Sequence, residues 1–230
     1  MKSDKIIPAI IPNSYEDIAD HVQLVEPYAK VMQVDLLDGL YTGSYSWPWH
    51  KKGQLDNALQ SWVEKGLPNW ETIDYEFDCM IVHPIQFLQY LVPLGPRRVI
   101  VHAAALGDLQ ADIEYLQSIK AFIEVGIAFT IHDDLQKYAS VLSEFDYVQC
   151  MGINTVGVQG AELDERVYEL IQKVRAMTDR VIQVDGGVNI DNIANLQEAG
   201  ANRFVSGSAI FDKGLVDDNI AELENSLLDN

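Results

Sequence analysis

The sequence predicts an α/β protein built as a single (β/α)8 TIM barrel across residues 1–230. Three observations predict it. Short β-branched runs alternate with longer amphipathic segments, and the alternation repeats eight times. The length admits one large domain or two small ones, and no Pro/Ser-rich linker or low-complexity tract divides the chain. The first strand candidate runs into Pro12-Asn13-Ser14, not into the Gly-x-Gly-x-x-Gly turn that an open dinucleotide-binding sheet requires.

Taken in order, the first strand is expected over 6–11 and a helix over 14–29, with Ser14 and Asp17 forming its N-cap. A second strand over 31–36 is followed by an anomalous connection, residues 39–72, which holds all four tryptophans. The stretch YTGSYSWPWH at 41–50 carries too much glycine, proline and aromatic residue for a helix. In a barrel this loop lies on the C-terminal face, where active sites are built, so it reads as a lid or specificity wall. Trp62 reads as a packing residue on a helix. Strands follow at 75–81 and 98–103, then a helix over 109–125 closed by Gly126 as its C′ residue. Strands at 127–131 and 147–152 precede a helix over 164–177. The last units are a strand at 181–185, a helix over 190–199 bounded by Asn189 and Gly200, and a strand at 203–206.

Charge narrows the function classes. Lys and Arg number 16 against 35 Asp and Glu, a net charge of −19, and the cations do not cluster. A nucleic-acid or anionic-membrane partner is therefore excluded, while a small phosphorylated ligand held by backbone N–H groups is not. Cys79 and Cys150 each sit in an apolar run and read as reduced core thiols. The N-terminal apolar run is broken by prolines and no stretch approaches the roughly 18 apolar residues of a span, so a cytoplasmic protein is expected.

Strand parity selects the inward side chains. Gln33 and Asp35 share a face, as do Glu76, Asp78 and Met80, then Gln149 and Met151, then Gln183 and Asp185. A carboxylate inside a barrel costs several kcal/mol unless it is paired, protonated or metal-bound. Asp35, Asp78 and Asp185 are therefore the candidate centre. After the last two strands come Asp185-Gly186-Gly187 and Ser206-Gly207-Ser208-Ala209. Glycines there admit a ligand close to the backbone, so Gly186, Gly187, Gly207 and Ser208 are the expected phosphate site. Among the histidines, His102 ends a strand facing the mouth and reads as structural or catalytic. His132 is placed to touch substrate and His50 to reach in with the lid, whereas His21 and His83 read as structural.

At these residues the chain resembles the ribulose-phosphate 3-epimerases. The likeness runs through IIPAII (6–11), VDLLDG (34–39), FDCMI (77–81), IVHA (100–103), VDGGV (184–188) and VSGSAIF (205–211), in family order across nearly the whole chain. The resemblance implies a (β/α)8 barrel that epimerises D-ribulose 5-phosphate and D-xylulose 5-phosphate at C3, with two aspartates as opposed acid and base around a metal. Asp35 and Asp185 stand at those two positions. Met80 and Met151 match family methionines, and with Asn154 and Ser206 they are the expected substrate contacts.

The chain also departs from the family pattern. Gln33 and Asp78 stand where the family carries two metal-binding histidines. Ala9 and Pro12 replace two serines, Leu37 replaces a methionine, and residues 154–160 replace a glycine-rich loop of the type NPGFGGQ. Asp35, Asp78 and Asp185 with the amide oxygen of Gln33 form an oxygen-only set, which favours Mg²⁺ or Mn²⁺ over Zn²⁺. Otherwise Asp78 bonds a sugar hydroxyl, or the site works without metal. The expected function is an isomerase that epimerises a ketose phosphate at C3 through an enediolate. The alternatives are an epimerase for another ketose phosphate, such as a hexulose 6-phosphate, and a non-catalytic phosphosugar-binding homologue. A Schiff-base aldolase is disfavoured, because no strand ends in lysine. A homo-oligomer is left open.

Overall fold

A parallel sheet buried on both sides needs a filled interior and an outer layer of helices. The computed structural model, which describes residues 2–56 and 58–227, has that arrangement. In chain order the elements begin with β1 (Ile6–Ile10), α1 (Tyr15–Val25), β2 (Val31–Leu37), β3 (Trp49–Lys51), β4 (Gln54–Leu55) and α2 (Ala58–Lys65). They continue with β5 (Asp74–Met80), α3 (Pro84–Leu91), β6 (Arg98–His102), α4 (Leu109–Ile119), β7 (Glu124–Phe129) and β8 (Tyr147–Met151). The chain then forms α5 (Arg166–Met177), β9 (Val181–Asp185), α6 (Ile193–Ala199), β10 (Arg203–Ser206), α7 (Ser208–Phe211) and α8 (Val216–Asn225). Eight parallel strands, β1, β2 and β5 to β10, close a barrel in which β1 pairs with both β2 and β10. The antiparallel pair β3–β4 stands apart, in the connection after β2.

Several boundaries differ from the sequence reading, each for a local reason. Ser14 caps α1 by accepting from the Asp17 N–H, but the helix stops at Val25, just ahead of Pro27, which has no N–H to continue it. Gly126 does not end a helix. It lies inside β7 opposite Tyr147, and a Cβ there would sit 2.5 Å from Tyr147 Cζ, so the strand passes only because the side chain is absent. Between β7 and β8, two short 3₁₀ turns, Leu135–Tyr138 and Leu142–Glu144, take the place of a helix. Asn189 closes a turn ahead of α6, accepting from the N–H groups of Asn192 and Ile193.

The connection after β2 is anchored by its aromatics. Trp47 lies 4.7 Å from Trp62, Trp62 is 5.5 Å from Phe77, and Trp49 is 4.7 Å from Phe87. Trp62 is buried as expected. Trp47 and Trp49 also turn into the core, away from the mouth, and Trp70 is exposed. Cys79 and Cys150 are free and buried, and burial pushes both thiols up. Among the described residues no helix is long and apolar enough to cross a membrane.

Register fixes what faces inward. Asp35 pairs with Asp78, Gln33 with Glu76, Gln149 with Gln183 and Met151 with Asp185. Toward the strands' N-terminal ends the interior is closed by Glu76, Arg98, Tyr147 and Arg203. Tyr147 donates to Glu76 at 3.0 Å, and the Arg203 guanidinium lies 4.4 Å from the Tyr147 ring.

Candidate active site

At the C-terminal ends of β2, β5 and β9, Asp35, Asp78 and Asp185 each offer a carboxylate oxygen, and these atoms lie within 4.8 Å of one another. All three side chains are buried or nearly so. Gln33 Nε2 donates to Asp35 Oδ1 at 2.7 Å and to Asp185 Oδ2 at 2.9 Å. Gln149 Nε2 donates to Asp78 Oδ2 at 2.8 Å, and His102 Nε2 lies 2.9 Å from Asp78 Oδ1. Burial, then the charge of Asp78, pushes the Asp185 carboxyl up to about 8 against the pull of Gln33. Burial and the charge of Asp185 drive Asp35 the same way. Two carboxyl groups joined through one amide and both raised favour the protonated form more than a free aspartate does.

The spacing of the three oxygens lets one hard divalent cation touch all of them, so Asp35, Asp78 and Asp185 fit such an ion. Gln33 does not fit as an oxygen ligand. Its nitrogen donates to both carboxyl groups and its oxygen lies 3.4 Å from Gln183 Nε2, so the expected donor atom points away from the cluster.

A cleft runs from this centre toward the turns after β9 and β10. Its lining includes Asp35, Asp185, Met80, Met151, Gly186, Gly187, Ser206, Gly207 and Ser208. Gly187 has φ +72°, and a Cβ there would lie 2.6 Å from the Leu163 amide nitrogen, so no larger residue fits. Ser206 is buried and its hydroxyl donates to the Val188 carbonyl, which makes it a brace for the β9 turn. Asn154 is not in the cleft. It is exposed on the rim, where its amide oxygen accepts from His132 Nε2 and Arg166 Nη2, both at 3.0 Å. His132 stays on that rim and His50 is exposed on β3, so neither reaches in.

Three residues outside the sequence-based set shape the mouth. Asp38 accepts from Leu40 N at 2.7 Å and Tyr41 N at 2.9 Å through one oxygen, and from Val82 N at 2.8 Å through the other. That carboxylate ties the loop after β2 to the end of β5. Ser46 donates to the Asp35 carbonyl and accepts from the Leu37 N–H. Tyr41 packs its ring 5.2 Å from that of His102, behind Asp78. Burial raises its phenol, helped by Asp133 and Asp78. The signal for Asp38 was present as an Asp-Gly pair directly after a strand. The direction in which Tyr41 points has no counterpart in the sequence pattern.

The ribulose-phosphate 3 epimerase family model matches residues 5–211. The chain belongs to this family. A ribulose-phosphate 3-epimerase of Bacillus subtilis is 24% identical over 231 residues, covering 96% of this chain and 99% of that one. Another, from Chlamydia trachomatis, is 28% identical over 195 residues, covering 82% of this chain and 77% of its own. Among solved structures, a 3-hexulose-6-phosphate synthase superposes with a TM-score of 0.68 at 18% identity, covering 97% of this chain and all of that one, a likeness of fold. Membership makes the protein an isomerase of the epimerase type.

Proposed function

We propose that the protein epimerises a ketose phosphate at C3, interconverting D-ribulose 5-phosphate and D-xylulose 5-phosphate, with Asp35 and Asp185 as the acid/base pair. The observation that carries this reading is the link between the two carboxyl groups through Gln33, with both pushed upward by burial and by their neighbours' charge. Inversion at one carbon needs a base on one face and an acid on the other. Asp35 and Asp185 come from different strands and face the same cleft. One takes the C3 proton while the other, already protonated, returns one from the opposite side. The roles exchange for the reverse reaction.

The enediolate must be stabilised, since a proton next to a ketone is too weakly acidic for a carboxylate alone. Asp35, Asp78 and Asp185 would hold a divalent ion, Mg²⁺ or Mn²⁺ in preference to Zn²⁺, given a donor set of oxygen alone. When bound, that ion offsets negative charge developing on the substrate oxygens. Gly186, Gly187, Gly207 and Ser208 take the phosphate at the other end of the cleft, where the first N–H groups of α7 have no partner within their helix. Met80 and Met151, buried beside the aspartates, supply the apolar flank that keeps water from the reacting carbon.

The test is incubation in D₂O with D-ribulose 5-phosphate, and in parallel with a hexulose 6-phosphate, with and without added Mn²⁺ or Mg²⁺. Deuterium entering C3 of the pentulose phosphate is the expected result. Exchange only in the hexulose phosphate would reassign the substrate. Binding of either without exchange would make the protein a phosphosugar binder and overturn the proposal.

A further inference from the structure

Within the closed barrel the direction of each hydrogen bond is dictated by the atoms that can only accept. Glu76 is fully buried, and its Oε2 takes the Tyr147 hydroxyl at 3.0 Å and Arg98 Nη1 at 3.5 Å. Its Oε1 takes Gln183 Nε2 at 2.6 Å. A carboxylate offers no proton here, so Gln183 must turn its nitrogen to Glu76. The same Nε2 lies 2.8 Å from Gln149 Oε1 and 3.4 Å from Gln33 Oε1. Gln183 Oε1 has no partner among the described residues, which marks an orientation imposed from its nitrogen side. Because Gln149 Oε1 is engaged by Gln183, its Nε2 turns to the mouth, toward Asp78 Oδ2 at 2.8 Å and Asp185 Oδ2 at 3.4 Å. Gln33 presents its nitrogen to Asp35 and Asp185 in the same sense.

We infer that Glu76 is a positioning residue that acts through Gln183 to set the polarity of the amides facing the three aspartates, so that N–H groups and not carbonyl oxygens point at the carboxylates. The carboxyl groups thereby accept from amide N–H groups, and any cation that enters the cluster meets those donors as competitors. The kinetic consequence rests on the proposed acid/base reading. The consequence for cation binding does not.

The deciding variant is Glu76→Gln, which changes one atom type and no shape. Arg98 can only donate, so it keeps an oxygen on its side and leaves the new amide nitrogen facing Gln183. Gln183 then offers its oxygen, Gln149 turns its nitrogen toward Gln183, and the Gln149 oxygen faces Asp78. Titration of the folded, chelator-treated protein with MnCl₂ alone is expected to show binding about tenfold tighter than wild type. Loss of a buried negative charge would by itself weaken cation binding, so the sign of the change belongs to the relay. In turnover of D-ribulose 5-phosphate, kcat is expected to fall about tenfold with KM held within about threefold. Should Glu76→Gln not fold, Gln183→Met removes the same keyed donor and is expected to tighten Mn²⁺ binding likewise. Unchanged or weaker Mn²⁺ affinity in the folded variant overturns the relay, whatever the turnover. Tighter binding in a protein whose wild type shows no C3 exchange would support the relay and overturn the epimerase reading alone.

Discussion

His102 Nε2 lies 2.9 Å from Asp78 Oδ1, and both side chains are closed off from solvent. The resemblance places a metal-binding histidine at the β5 position that Asp78 occupies. Here the carboxylate stands at the centre and the imidazole backs it from the next strand. With Gln149 on its other oxygen, Asp78 presents its carboxylate in one orientation.

Asp78 should therefore govern metal binding. Asp78→Ala is expected to weaken Mn²⁺ or Mg²⁺ at neutral pH by at least about tenfold, and Asp78→His to shift preference toward Zn²⁺ by supplying nitrogen. Metal analysis and calorimetry on the purified protein decide it. A wild type that gains no thermal stability with any divalent ion would sink the claim.

Asp35→Asn and Asp185→Asn are each expected to lower C3 exchange by at least about 100-fold with the circular dichroism of the barrel retained. Near-wild-type turnover in either variant would remove that residue from the acid/base pair.

The raised carboxyl of Asp185 ties stability to pH. A group whose folded pKa exceeds its unfolded value binds its proton more tightly when folded, so its contribution is complete at low pH. It drains away as pH climbs from the ordinary aspartate value near 4 toward about 8. The chelated protein should melt at a lower temperature at pH 8.5 than at 6.5. Asp185→Asn should narrow that difference. An equal drop in the variant would mean that the acid surface as a whole is responsible.

Phosphate recognition should survive loss of a nearby cation but not the arrival of an anion. Ser208→Asp is expected to abolish binding of ketose phosphates, while Lys213→Ala, just beyond the motif, has little effect. With a net charge of −19, no general attraction compensates for a lost local site. The comparison is sugar phosphate against its dephosphorylated counterpart. Equal affinity for the two in wild type would refute the assignment of this end of the cleft.

Asp38 satisfies three backbone N–H groups from two segments. Asp38→Ala is expected to cost about 2–4 kcal/mol in urea unfolding, and Asp38→Asn less, since the amide keeps one acceptor. Equal midpoints for wild type and alanine variant would show that the loop is held by its tryptophans alone.

The strands were legible because β-branched runs carry their own signal, and the three interior aspartates because parity on a strand leaves no choice of face. Gly126 was not legible. A glycine after an amphipathic stretch ends a helix as readily as it makes room for a ring, and Tyr147 lies on a different strand. The tryptophans misled for a related reason: composition marks an unusual loop without saying which side of it is wet. The orientation of Gln33 lay furthest out of reach. It depends on Gln183, which is keyed by a carboxylate 107 positions away in the chain.

The barrel closes through β1 against β10, and Gln33 meets Asp185 across 152 positions of sequence. In a nascent chain Asp35 and Asp78 therefore emerge before β9 and β10, the strands that complete their enclosure. Until β9 and β10 emerge, those carboxylates must stay hydrated, and the early strands present an open edge. Closure of the centre therefore waits on β9 and β10, which bring Asp185 to the two earlier aspartates.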